Sequence, residues 1–297
     1  MLRRWDSEPD SGIIGQTGTG IAEADLRRLI RISDFGRLQS VEKTVKMTDQ
    51  KAPRPSLSIV IPVYNEEENI EPLLKEVFGS LSSDPDFLEL LLVDDGSLDR
   101  TAELIRDAAS REPRIHLLQH RLNRGLGASI RTGLQSARGE LVLYTDADVP
   151  FDFGLIPRLV ALAGDNNVVI GCRANRGEGP RRLVLTKGYN LICRVVFGLR
   201  TRDVNFACKV IPRSALAGMR LESEGSFIDA EILLECKRQG FTLTEFPLTY
   251  FPRTRGQSTL SRVGVIFGIL REMGRYILRS KNGKKYDLVE EIDHKRG

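Results

Sequence analysis

Leu141-Val142-Leu143-Tyr144-Thr145-Asp146-Ala147-Asp148 runs a short apolar stretch into two carboxylates that flank one small residue. The length of the run is that of a buried strand rather than a helix. In open α/β sheets ligands sit outside the carboxyl ends of the strands, so this pair stands where such a fold does its chemistry. Two hard oxygen donors at that place suit Mg2+ or Mn2+ carrying a phosphate-bearing substrate. The competing reading is a plain turn leading into a helix N-cap. Residues outside the stretch have to decide between the two.

Upstream, Leu57 to Ile61 reads as a strand, Pro62-Val63-Tyr64-Asn65 as a turn, and Ile70, Leu73, Leu74, Val77, Phe78 and Leu81 as one helical stripe. Glu66, Glu67 and Glu68 occupy the first turn of that helix, where its dipole favours them. Leu88 to Val93 predicts a second strand, which ends in Asp94-Asp95-Gly96-Ser97. A helix with Ala102, Ile105, Ala108 and Ala109 facing inward follows, then a strand from Ile115 to Leu118 and a helix from Gly125 to Ala137. Strand and helix alternating at this interval predict an α/β fold with a mostly parallel sheet covered by helices on both faces. Tyr64/Asn65/Glu66, Asp94/Asp95 and Asp146/Asp148 then belong to strand ends and are expected on one rim.

At 297 residues with 41% apolar content the chain can build one large or two small domains. Its net charge of +4, from 44 basic and 40 acidic residues, gives no ground to expect nucleic acid as a partner. Cys172, Cys193, Cys208 and Cys236 show no metal or CxxC spacing and read as reduced core residues of a cytoplasmic protein. Acids follow Met1-Leu2-Arg3-Arg4-Trp5 where a signal peptide would turn apolar, and no run reaches the ~18 apolar residues of a membrane-spanning helix. Residues 1–54 read as a linker-like extension, 55–260 as the catalytic domain and 261–297 as a basic tail.

Between Pro252 and Lys285, Arg253, Arg255, Arg262, Arg271, Arg275, Arg279, Lys281, Lys284 and Lys285 face a single acid, Glu272. Val263, Ile266, Ile269, Leu270, Met273, Tyr276 and Ile277 fall on one helical face, with Arg271, Arg275 and Arg279 largely off it. Such a helix lies in the headgroup region of an anionic bilayer or packs on its own catalytic domain, and the sequence leaves both open.

Several ordered motifs point further: Pro62-Val63-Tyr64-Asn65-Glu66, Val93-Asp94-Asp95-Gly96-Ser97, Asn123-Arg124-Gly125-Leu126-Gly127, Ala137-Arg138-Gly139 and Asp146-Ala147-Asp148. Together they resemble the inverting family 2 glycosyltransferases, which have the GT-A fold. Gly171-Cys172-Arg173, Arg182 to Lys187, Asp203 to Lys209, Asp229-Ala230-Glu231 and Arg253 to Ser258 are similar to the branch typified by dolichol-phosphate mannose synthase and bacterial polyprenyl-phosphate hexosyltransferases. The resemblance spans roughly residues 56 to 260.

The resemblance implies transfer of a hexose, mannose or glucose, from a GDP- or UDP-sugar to a polyprenyl phosphate at the cytoplasmic face of a membrane, with a small membrane subunit as an expected partner. It implies that Pro62, Tyr64, Glu66, Asp94 and Asp95 hold the nucleotide, and that Asp146 and Asp148 hold Mg2+ or Mn2+ on the diphosphate. Arg253 would act at the donor phosphates, and Arg173, Arg182 and Thr186 would grip the lipid phosphate. An ionised phosphate acceptor needs little help from a base. A sugar hydroxyl would need one, and Asp229 or Glu231 could serve. A third possibility is a nucleotide-sugar-binding protein without catalysis. Two departures bear on it: Val149-Pro150-Phe151-Asp152 follows the acidic pair where the branch has Leu-Gln, leaving Asp152 to compensate, and Thr259 stands where the family has a lysine.

Overall fold

In a computed structural model the described residues are 55–174, 180–251 and 267–280, without the side chains of 180–182. The extension 1–54, Arg253 and its motif, and the ends of the basic tail lie outside them, as does the side chain of Arg182.

The elements run β1 (Leu57–Val63), α1 (Glu67–Leu81), β2 (Phe87–Asp94), α2 (Thr101–Arg111), β3 (Ile115–Gln119), α3 (Leu126–Ser136) and β4 (Leu141–Thr145). After a short 3-10 turn, Phe153–Leu155, come α4 (Ile156–Leu162), β5 (Asn167–Arg173), α5 (Pro180–Phe197), β6 (Cys208–Pro212), α6 (Arg213–Ala217), α7 (Ile228–Arg238) and β7 (Thr242–Leu248). Residues 267–280 form a further helix, α8. Pro62 and Val63, read from the sequence as turn, extend β1, because Asp94 on the neighbouring strand pairs with Val63.

The strands form one sheet in the order β3-β2-β1-β4-β6-β5-β7. Among them only β6 runs antiparallel to its neighbours. The other strands deliver their carboxyl ends to one edge, whereas β6 brings its first residues there, with Cys208 opposite Thr145 and Lys209 opposite Tyr144. Alternate residues feed two cores. Ile59, Ile61, Leu90 and Leu92 pack with Ile70, Leu73 and Val77 of α1 and Ile105 of α2, while Val60, Leu91, Val93 and Val142 pack with Ile130, Cys193, Ile232 and Met273. Each fully buried Leu or Ile contributes about 1.5–3 kcal/mol relative to exposure, so the two-sided burial fixes the strand register and with it the place of every residue at the rim. All four cysteines are free and buried, and burial pushes the Cys208 and Cys236 thiols up to about 12.

Candidate active site

The rim is assembled by loops that cap one another. Asn65, in the left-handed region at φ 52, donates from its N–H to Ser97 Oγ at 2.9 Å, and its side-chain oxygen accepts from Leu98 N–H at 2.8 Å. Glu66 N–H donates to Thr101 Oγ1 (2.9 Å) and Glu67 N–H to Asp99 (3.1 Å), so the first turns of α1 and α2 satisfy each other's orphan groups. Burial would raise the Asp99 carboxyl, but hydrogen bonds from Thr101 and Glu67 outweigh it and hold it below its usual value.

Beside these loops a cavity of about 580 Å³ is lined by Tyr64, Gly96, Ser97, Leu98 and residues 119–123. Tyr64 is exposed over it, Pro62 is half-buried one step back in β1, and Glu66 is half-buried just before α1. Asp94 and Asp95 stand behind its wall rather than in it. Asp94 accepts from Ser97 and from Gln119 Nε2 (2.9 Å), and Asp95 accepts from Arg124 N–H (2.9 Å), Gly125 N–H (2.7 Å) and His120 Nδ1 (2.7 Å). A carboxylate only accepts, so Nδ1 of His120 donates to Asp95, and Nε2 pairs with Thr132 Oγ1 at 2.9 Å. Sequence reasoning overlooked His120 and Gln119, although a histidine directly after a strand end in a chain with only three histidines was a usable signal.

Asp146 and Asp148 follow β4, both half-buried around a buried Ala147. Tyr144 lies fully buried below them, and its phenol is pushed well up by burial and then by the charges of Asp229, Asp146 and Asp148. The three carboxylates therefore act on one buried phenol. Val149 holds φ 50 ahead of Pro150, a costly conformation for a β-branched residue. Its neighbours pin it there: Pro150 O accepts from Phe251 N–H at 2.9 Å, and Phe151 and Phe153 are fully buried. Asp152 caps the 3-10 turn by accepting from Gly154 N–H at 2.9 Å. Two adjacent hard carboxylates on a fixed turn are a donor set that fits a divalent ion bearing phosphate oxygens.

Asp229, at the start of α7, is ion-paired with Lys209, whose ammonium is completely buried, donates to Phe206 O at 3.0 Å and lies 5.3 Å from the Tyr144 ring. Glu231 accepts from Glu222 N–H, Ser223 N–H (2.9 Å) and Arg279 (3.0 Å). Arg173 closes β5 with its guanidinium on Asp203 at 3.1 Å, between the rings of Phe206 and Tyr250. Thr186 is half-buried on α5.

The antiparallel β6 lies beside β4, with the strand-end acids next to it, and residues 58–219 match the profile of glycosyl transferase family 2. The chain belongs to this family. Among curated family 2 relatives, the undecaprenyl-phosphate 4-deoxy-4-formamido-L-arabinose transferase of Pectobacterium atrosepticum is 36% identical over 177 residues, covering 58% of this chain and 54% of that protein. The dolichyl-phosphate beta-glucosyltransferase of Trichomonas vaginalis is 32% identical over 210 residues, 65% of each chain. This family 2 chain thus spans about half to two thirds of the length of these relatives. Among solved structures, glucosyl-3-phosphoglycerate synthase of Mycobacterium tuberculosis in complex with Mn2+, UDP and glucosyl-3-phosphoglycerate superposes with a TM-score of 0.57 at 19% identity, covering 80% of this chain and 84% of that one. A mannosyltransferase of Pyrobaculum calidifontis in complex with GDP-mannose and Mn2+ gives a TM-score of 0.52 at 21% identity over 76% and 67%. At those identities the likeness is one of fold.

The other contribution to the site comes from α8. Burial of Met273, Ile269 and Tyr276 against the second core, with Tyr276 edge-on to Phe197 and Phe227, realises the packed alternative for this helix. Arg279, expected among the outward basic residues, instead binds Glu222 (2.8 Å) and Glu231 (3.0 Å). Glu272 accepts from Glu224 and Gly225 N–H at 3.0 and 2.8 Å. The loop so held, 222–225, packs on the start of α3, where Gly127 N–H donates to Glu224 O at 2.8 Å.

Proposed function

We propose that this chain transfers a hexose from a nucleoside diphosphate sugar to a polyprenyl phosphate, at a membrane face. The observation that carries this reading is the state of Asp229. Asp229, the carboxylate offered as base for a hydroxyl acceptor, is held by a fully buried ammonium, Lys209, so taking up a proton there would leave that ammonium without its counter-charge. An acceptor that arrives already ionised avoids that step, and a phosphate monoester with a second pKa of about 6 is such an acceptor. The undecaprenyl-phosphate and dolichyl-phosphate transferases among the relatives support the same acceptor class.

In this reading the cavity behind Tyr64 receives the nucleoside, with Pro62 and Glu66 beside it, while Asp94 and Asp95 set its wall from behind. Asp146 and Asp148 hold Mg2+ or Mn2+ on the diphosphate, which would neutralise charge on the departing group. A phosphate oxygen of the acceptor bonds to the anomeric carbon as the bond from that carbon to the diphosphate breaks, and the nucleoside diphosphate leaves with the electron pair. Thr186, Arg182 and Arg253 are proposed to hold the two phosphates. Arg173 would have to share its guanidinium with Asp203. The test uses a labelled nucleotide sugar, a short polyprenyl phosphate and Mn2+. Asp148→Ala should abolish turnover while keeping the wild-type melting curve, and near wild-type turnover in that variant would reject the metal pair.

A further inference from the structure

Helix α5 carries an unusual surface for a protein without membrane-spanning helices among its described residues. Val184, Leu191 and Val195 are 69%, 59% and 74% exposed, and Leu185, Ile192 and Val196 lie exposed alongside them. At 100° per residue these side chains cover one continuous face. Cys193, Tyr189 and Phe197 occupy the opposite face and enter the core. Single exposed apolar residues need no explanation, but six on one helical face do.

The polar residues bordering the stripe have one sign. Lys187 and Arg194, both exposed, sit one helical turn either side of Leu191 along a single edge. From Pro180 to Arg202 there is no acid, and the next one, Asp203, is buried on Arg173. This composition selects among occupants. A symmetric dimer through this face would bring the same basic edge of two copies together with nothing to offset it. A surface of anionic lipid presents headgroup phosphates to the basic edge and acyl chains to the stripe.

We infer that the outer face of α5 is a bilayer-docking surface, lying in the headgroup region of an anionic membrane with Val184, Leu191 and Val195 turned into the acyl boundary. The placement differs from the bilayer alternative that the sequence left open for the tail helix. The basic amphipathic helix α8 commits Met273, Tyr276 and Arg279 to the catalytic domain and leaves Phe267, Leu270 and Leu278 exposed, whereas α5 bares six apolar side chains on one face, so the seat is placed on α5. The chain reaches α5 shortly after β5 ends at the rim, which keeps a docked α5 close in sequence to the candidate site. The consequence for a lipid acceptor rests on the proposed function, but the docking itself does not.

The experiment measures co-sedimentation of the full chain with phosphatidylcholine vesicles and with mixed phosphatidylcholine–phosphatidylglycerol vesicles. Wild type should sediment with the anionic vesicles at low salt and be released as salt rises. Leu191→Glu/Val195→Glu should weaken this binding by about tenfold or more, and Arg194→Glu should weaken it on anionic vesicles only. Because charge changes on an exposed face can still disturb folding, a gain-of-signal variant accompanies them. Val195→Trp in a Trp5→Phe background should shift its emission to the blue on adding anionic vesicles. Turnover with a short, water-soluble prenyl phosphate should be unchanged in Leu191→Glu/Val195→Glu, while turnover of a long-chain acceptor in vesicles should fall. Unaltered vesicle binding in the double variant, or an unshifted indole emission in the Val195→Trp variant, overturns the docking surface. Oligomer dissociation in the double variant overturns it as well, by assigning the face to a second copy. Vesicle binding as expected, with no transfer to either prenyl phosphate by wild type, leaves the docking surface standing and rejects the acceptor instead.

Discussion

The pairing of Lys209 with Asp229 admits a double-mutant cycle that separates a strut from a catalytic base. Both side chains are buried, Lys209 completely, and the ammonium has Asp229, the Phe206 carbonyl and the Tyr144 ring around it. Lys209→Met leaves the buried Asp229 carboxylate without its counter-charge. Removing one partner of a buried pair costs about 3–5 kcal/mol. For a domain of about 200 residues that lowers the melting temperature by about 6–20 °C, at roughly 2–4 °C per kcal/mol. Asp229→Asn should cost a similar amount by stranding the ammonium. Lys209→Met/Asp229→Asn removes both charges and should regain all but about 1 kcal/mol, the share of the lost bond to Phe206 O. The assay is thermal melting of the four proteins, with turnover measured below the lowest midpoint. If Asp229 is a strut, turnover recovers along with stability in the double variant. If it is a base, turnover in the double stays where Asp229→Asn left it, about a hundred- to ten-thousandfold down. A double variant that melts no higher than either single one would refute the ion-pair argument, and one that melts normally but stays inactive would refute the proposed acceptor.

Two further expectations concern the frame of the site. Glu89, fully buried, accepts from Ser58 Oγ (2.7 Å) and from Arg138 N–H and Nε (2.8 Å each); burial alone would raise its carboxyl, but these bonds hold it below its ordinary 4.5. A group depressed on folding stabilises fully above its unfolded value and loses that contribution as pH falls through the folded one, so the stability advantage of wild type over Glu89→Gln in denaturant titrations should shrink below about pH 4.5, and a pH-independent gap would count against it. Gly127→Ala would set a methyl 2.2 Å from Ser223 O and should cost about 1–3 kcal/mol or more, whereas Gly79→Ala at an exposed position of α1, with nothing within 4 Å, should stabilise by up to about 1 kcal/mol; equal melting temperatures for the two would show that the loop yields.

The parallel half of the molecule was legible because its signals are local. Leu57 to Ile61, Leu88 to Val93 and Leu141 to Thr145 are apolar runs closed by acids, and the stripes of α1 and α2 repeat at helical spacing. The direction of β6 was not legible, since Cys208 to Pro212 reads the same whichever way the strand runs. That direction is why Lys209, near a strand's beginning rather than its end, reaches the rim. Charge roles were the least legible. Arg279 and Glu231 stand 48 residues apart, and Arg173 and Asp203 stand 30 apart, so nothing in the local pattern says that these charges satisfy each other. Asp94 and Asp95 were recognised as special, but the backbone amides and side chains that absorb their carboxylates come from the following strand and loop. The exposed face of α5 escaped because an apolar helix of Val, Leu and Ile reads as core until packing shows which side is covered.

The contact of α8 with loop 222–225, and of that loop with the start of α3, bears on how this protein can be recombined. Glu272 and Arg279 hold a loop about fifty residues upstream, and that loop fits only because residues 125 and 127 carry no side chain, about a hundred residues earlier still. Three segments remote in sequence therefore behave as one inherited unit. A chimera that exchanges the C-terminal region between relatives at a convenient linker would cut through that unit, and crossover points are better chosen so that all three segments come from a single parent.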